Sequence, residues 1–128
     1  ALGPNAVRKT GLSGNFRVRE RQMALVIEAM AGRPGVPALA LGDYNMTEGN
    51  DTYQIATAAL TDAWLVAGRG PGWTWPRADY PPRRPALRLD YCFCTAKVRP
   101  AAMHVIYEPL GSDHCPIVVD IAYGKGPL

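Results

Sequence analysis

No apolar stretch in this sequence approaches the ~20 residues that a bilayer-spanning helix needs, and no signal-peptide pattern opens it. A targeting or membrane segment upstream stays open, because the chain begins at Ala1 rather than at an initiating Met. Cysteine is scarce. The three present, Cys92, Cys94 and Cys115, match no metal-knuckle spacing, and the first two would share one face of a strand. They are expected to be buried, reduced thiols, and their odd number favours a reducing compartment such as the cytoplasm. Charge of one sign is also scarce: 14 basic against 11 acidic residues leave +3, far below the density of a dedicated nucleic-acid binder. There is no internal repeat and no low-complexity tract.

What is present suits one globular domain: 128 residues, 48% hydrophobic, enough for a real core. Residues 1–16, rich in Gly, Asn and basic side chains, are expected to form an entering loop. Over residues 17–31, Met23, Val26, Ile27 and Met30 recur at helical spacing, and Gly32 and Pro34 close the pattern. Residues 36–41 form a short apolar run that fits a strand buried on both faces. The alanines of residues 51–60, capped by Asn50 or Asp51, predict a second helix. A Gly- and Pro-rich loop over 68–86 surrounds Trp73-Thr74-Trp75, and strands are expected over 87–94, 102–107 and 117–122, followed by a frayed tail.

Three short motifs stand at the ends of these apolar runs: Gly42-Asp43-Tyr44-Asn45, Arg88-Leu89-Asp90-Tyr91 and Ser112-Asp113-His114-Cys115-Pro116. Asp43 and Asn45, two residues apart in extended chain, point the same way, so a carboxylate that orients water and an amide that binds a phosphate oxygen would stand together. Each motif alone also has a bland reading as turn chemistry. Asp113 and His114 offer a metal ligand and a general base or phosphate donor in one segment. Asp90, inside a strand, needs a partner, since an unpaired buried carboxylate costs several kcal/mol. His114 is the natural one; Arg88 or a backbone amide is the competing partner. Trp73 and Trp75 would either pack or stack on a base, with packing the default, and Arg77, Arg83, Arg84 and Arg88 are able to meet phosphates. His104 sits far from any motif and is expected to be structural.

Taken together and in this order, the motifs resemble the endonuclease/exonuclease/phosphatase superfamily, the DNase I-like fold. The helix with Arg21-Gln22 and the segment Gly72-Trp73-Thr74-Trp75-Pro76 are similar to the same family, so the likeness runs along almost the whole chain. The resemblance implies an α/β (α+β) fold, part of a four-layer α/β/β/α sandwich with mostly antiparallel or mixed sheets, and residues 1–128 as the carboxy-terminal portion of one such domain. It implies metal-dependent phosphoester hydrolysis by activated water, with Mg²⁺ or Mn²⁺. Asp43 would orient water or assist the leaving group, Asn45 would bind phosphate, Asp90 would support His114 as base or transition-state donor, and Asp113 would be a metal-site carboxylate. Trp75 and Arg88 are the remaining expected substrate contacts. The family's amino-terminal Asn and metal-binding Glu, and a His or Tyr from the middle of the domain, have no counterpart here; Glu20, Glu28 and Glu48 lack the matching context. The expected partners are therefore a phosphate ester, nucleic acid among the choices, and either the missing amino-terminal half or a second copy. The readings that compete with catalysis are an association module and a nucleic-acid-binding domain that keep the fold.

Overall fold

The computed structural model describes residues 4–76, 84–108 and 111–124. The chain runs α1 (Pro4–Ala31), β1 (Leu39–Asp43), α2 (Asp51–Ala59), β2 (Thr61–Asp62), α3 (Ala63–Ala67), β3 (Asp90–Cys94), β4 (Val98–Val105) and β5 (Ile117–Tyr123). All pairings between these strands are antiparallel. β3 stands between β1 and β2, with Leu39 opposite Cys94 and Asp43 opposite Asp90, and β4 pairs with β5 as a ribbon. No helix among the described residues is long and apolar enough to cross a membrane.

Alternation along β3 builds the core. Tyr91 and Phe93 face one way, onto Met23 and Met30 of α1, Tyr53 and Ala56 of α2, and Met46 and Leu60. Cys92 and Cys94 face the other way, onto Ala63 and Trp64 of α3 and Val98 and Met103 of β4. The result is a layer of helices, a three-stranded sheet and a ribbon, an α+β arrangement. Tyr91 and Phe93 stack with ring centroids 5.4 Å apart, and Tyr44 meets Phe93 edge-on at 5.2 Å. All three cysteines are buried and none forms a disulfide among the described residues.

Several elements differ from the sequence expectation. α1 starts at Pro4 rather than near residue 17; proline suits a first helical turn, and once the packed half exists, propagation adds one bond per residue ordered. β1 is shifted to Leu39–Asp43 and is not buried on both faces: Leu39 and Leu41 are 42% and 55% exposed. Among the described residues it pairs with β3 alone, and the ribbon that packs on Cys92 and Cys94 leaves their neighbours Leu41 and Leu39 largely open. The strand buried on both faces is β3. β4 begins at Val98 because a bulge between Pro100 and Ala102 lets a proline sit in the ribbon. The short elements β2 and α3 were not expected: five residues are too few to show a helical period, although Asp62 caps α3 by accepting from the Trp64 amide at 3.1 Å. The tail from residue 125 onward, with Arg77 and Arg83, lies outside the described residues.

The loop over 68–76 folds around Trp64. The Trp64 indole donates to the Gly70 carbonyl at 2.9 Å. Gly72, at φ +68°, lies so close that a Cβ there would stand 2.5 Å from the Trp64 ring. Only glycine satisfies both the backbone conformation and the contact.

Candidate active site

Asp43 is the last residue of β1 and Asp90 the first of β3, so antiparallel pairing sets the two carboxylates side by side at one end of the sheet. The turn after β1 is fixed locally. Asp43 Oδ1 accepts from the Asn45 amide at 2.7 Å, and Asn45 takes the left-handed conformation at φ 49°, which asparagine tolerates better than most residues. Tyr44 N donates to Leu89 O at 2.9 Å, which stitches this turn to the entry of β3. Beneath, the buried Tyr91 hydroxyl lies 3.0 Å from Met46 O and 2.8 Å from Arg88 O, able to donate to either. The Asn45 side chain is exposed, and its left-handed backbone takes it out of the extended chain that was expected to point it the same way as Asp43.

His114 comes from the turn before β5. Its Nδ1–H donates to Asp90 Oδ2 at 2.8 Å, and its Nε2 lies 3.7 Å from Asp43 Oδ2. The imidazole thus stands between two carboxylates with one nitrogen committed and the other facing a gap. Burial disfavours the imidazolium, but the hydrogen bond and charge of Asp90, followed by the charges of Asp43 and Asp113, raise its pKa above 6.5. The partner expected for Asp90 from sequence is present, and Arg88 is not that partner.

Arg88 does not open to the site. It is 3% exposed, with Nη1 and Nη2 donating to Asp62 at 3.0 and 2.7 Å and Nε donating to Glu48 at 2.7 Å. Its guanidinium also covers the Tyr91 ring at 4.4 Å. Burial works against the charge, yet the bonds to Asp62 and Glu48 outweigh it and raise the pKa further. This corrects the expectation that Arg88 binds substrate: its donors are spent inside the fold. Asp62 and Glu48 were missed because they lie 26 and 40 positions away from it. The one available signal was an arginine entering an apolar strand, which demands a buried acid.

Asp113 is exposed and accepts from the Trp75 indole at 3.4 Å. Among the described residues, the group whose donor atoms all lie within 4.8 Å of one another is Asp43, Asp90 and His114, without Asp113. Trp75 is half-buried at the rim, whereas Trp73 is exposed and His104 is exposed on the ribbon. A cleft of about 230 Å³ opens beside Asp43, lined in part by Arg19, Gln22, Tyr44 and Thr52. The helix carrying Arg21-Gln22 therefore borders the site through Gln22. Two acids and an imidazole whose donor atoms lie within 4.8 Å of one another, with Asp43 also lining a cleft, are a constellation for moving protons around an oxyanion.

The α+β framework that carries this site is shared with proteins of known structure. The sequence profile described as "Endonuclease/Exonuclease/phosphatase family" matches residues 6–114, and the chain belongs to that family. Among solved structures it is similar to an endonuclease/exonuclease/phosphatase from Bacteroides vulgatus, at 26% identity and TM-score 0.72, covering 84% of this chain and 45% of that one. A family member from Beutenbergia cavernae aligns at 25% identity and TM-score 0.64, covering 83% and 31%. A mannosyl-6-phosphatase from Bacteroides thetaiotaomicron shares the fold at 18% identity and TM-score 0.68, covering 84% and 46%. The chain thus spans under half the length of these relatives. The curated proteins include no match.

Proposed function

We propose that the protein is a metal-dependent phosphoesterase and that this chain carries the carboxy-terminal portion of its catalytic domain. The observation that carries the reading is His114, bonded to Asp90 through Nδ1 and presenting Nε2 toward Asp43 across 3.7 Å. Burial works against the imidazolium, but the hydrogen bond and charge of Asp90 favour it, and in that protonated form Nε2–H donates to a phosphoryl oxygen as negative charge develops on it. The Asp43 carboxylate orients the attacking water and accepts its proton as the new P–O bond forms and the bond to the leaving oxygen breaks. The exposed Asn45 amide donates to a second phosphoryl oxygen.

The donor set fits a hard divalent cation. Asp90 and His114 are largely occupied with each other, so Asp43 would be the main oxygen ligand, and Asp113, which lies outside the 4.8 Å group, would join it only from the neighbouring turn. Mg²⁺ or Mn²⁺ is the kind of ion that one or two such carboxylates would hold. When bound, the ion supplies positive charge to the phosphate oxygens. Trp75, through its indole bond to Asp113, orients that carboxylate and lines the rim where a leaving group would rest.

The test is hydrolysis of a generic phosphodiester, a phosphomonoester and plasmid DNA, with Mg²⁺ or with EDTA, by the protein and its His114→Ala variant. The remainder of the domain is supplied in a parallel arm. Turnover that needs the metal and falls at least a hundredfold in the variant is the expected result. Equal turnover by the variant, or none even with the complete domain, overturns the reading. One observation favours a second role, association: Leu39, Leu41 and Tyr123 leave an apolar face open beside the ribbon.

A further inference from the structure

Asp90 and His114 enter the site from different parts of the chain, and something must hold their backbones at a fixed separation if the 2.8 Å bond is to form reproducibly. Thr74 touches both sides. Its side chain is fully buried, and its Oγ1 accepts from the amides of Leu89 at 3.1 Å and Asp90 at 3.3 Å. Its own amide donates to Leu87 O at 2.8 Å. Its carbonyl accepts from the amide of Cys115, the residue after His114, at 2.7 Å. The hydroxyl therefore holds the backbone that launches Asp90, and the carbonyl of the same residue holds the backbone that launches His114. Trp75 continues the arrangement, with its indole on Asp113.

We propose that Thr74 is a positioning residue of the active site, setting the distance and orientation of the Asp90–His114 pair through these two backbone grips; the inference rests on the reading of that pair as catalytic. Packing alone does not account for the choice of threonine. Valine would fill the same volume but would leave the Leu89 and Asp90 amides without this acceptor. Serine would keep the acceptor and lose one methyl group.

The experiment is NMR on the full-length protein in EDTA, at fixed pH and low temperature, comparing wild type with Thr74→Ser and Thr74→Val. Two signatures are read: the downfield His114 Nδ1 proton of the bond to Asp90, and amide exchange at Leu89, Asp90 and Cys115. Thr74→Ser keeps the downfield resonance. Thr74→Val loses it, and exchange at Leu89 and Asp90 rises about tenfold, as expected for the loss of one hydrogen bond. The His104 ring signals stay in place as the internal control. A Thr74→Val protein whose His114 resonance is unmoved overturns the proposal, as does Thr74→Ser behaving like Thr74→Val. Should valine fail to fold, Thr74→Ala is judged by the same criteria. Unfolding of both hydroxyl-free variants while serine folds would make Thr74 a folding residue only, and would also overturn the proposal. None of these readouts needs turnover, so failure of the phosphoesterase reading and failure of this one are told apart.

Discussion

A single ring, His114, carries most of the site's electrostatic information. Because Asp90 and Asp43 raise its pKa in the folded protein, folding binds a proton more tightly than the unfolded chain does. The stabilisation is fully present below the unfolded value near 6.5 and is lost as pH rises through the higher folded-state value. In EDTA, the difference in denaturant midpoint between the protein and its His114→Asn variant is therefore expected to be largest in mildly acidic solution and to shrink on the alkaline side of neutrality. A flat or inverted profile in urea titrations between pH 5 and 9 would rule this out. At this scale the sequence was informative wherever a residue carried its own demand. Asp90 in an apolar strand called for a nearby partner, and His114 was the available imidazole. Arg88 made the same demand, but its partners Asp62 and Glu48 sit in a segment with no motif, so its burial became visible only with the fold.

Elements tell a different story, because burial of a strand depends on neighbours that its own sequence does not name. The apolar run over 36–41 looked doubly buried, yet β1 became an edge with one open face, while β3, which carries an acid and a tyrosine, became the centre. The Arg88–Asp62 pair ties the entry of β3 to the junction of β2 and α3. Replacing Arg88 by methionine would leave the Asp62 carboxylate buried without its cation, although the Tyr53 hydroxyl at 2.9 Å and the Trp64 amide would remain. Loss of about 3 kcal/mol or more of stability is expected from chemical denaturation. A loss under about 1 kcal/mol would mean that the pair is no better than an exposed one. The helix before β1 and the existence of strands near 102–107 and 117–122 were legible from periodicity and β-branched content, whereas their pairing as a ribbon was not read and the left-handed turn at Asn45 replaced an expected extended stretch. The length of α1 and the whole of α3 were not legible either, one for want of an apolar period and the other for want of length.

For the whole molecule, the open apolar surface is the dominant fact. Leu39 and Tyr123, 42 and 71% exposed, line a groove of about 260 Å³ between β1 and the ribbon, and Leu41 on the same face of β1 is 55% exposed. Apolar surface of this kind beside an unpaired strand edge favours association. The chain on its own is expected to self-associate at tens of micromolar, and Leu39→Lys with Leu41→Lys to shift it toward monomer in multi-angle light scattering. A monodisperse wild-type monomer would refute this. The expectation of a missing half or a second copy came from the family resemblance and not from composition, since an average hydrophobic content of 48% says nothing about which face stays open.

β3 offers solvent almost nothing: Tyr91, Cys92, Phe93 and Cys94 are at most 1% exposed, and only Asp90 at its head is partly open. A strand with two interior faces has no site at which a polar replacement is harmless. The acid that supports His114 is therefore anchored in the stretch of chain with the least freedom to vary, whereas His114 itself rides on a turn. Natural and laboratory variation should accordingly reshape this site from the histidine side, by altering the turn, long before it alters the strand beneath Asp90.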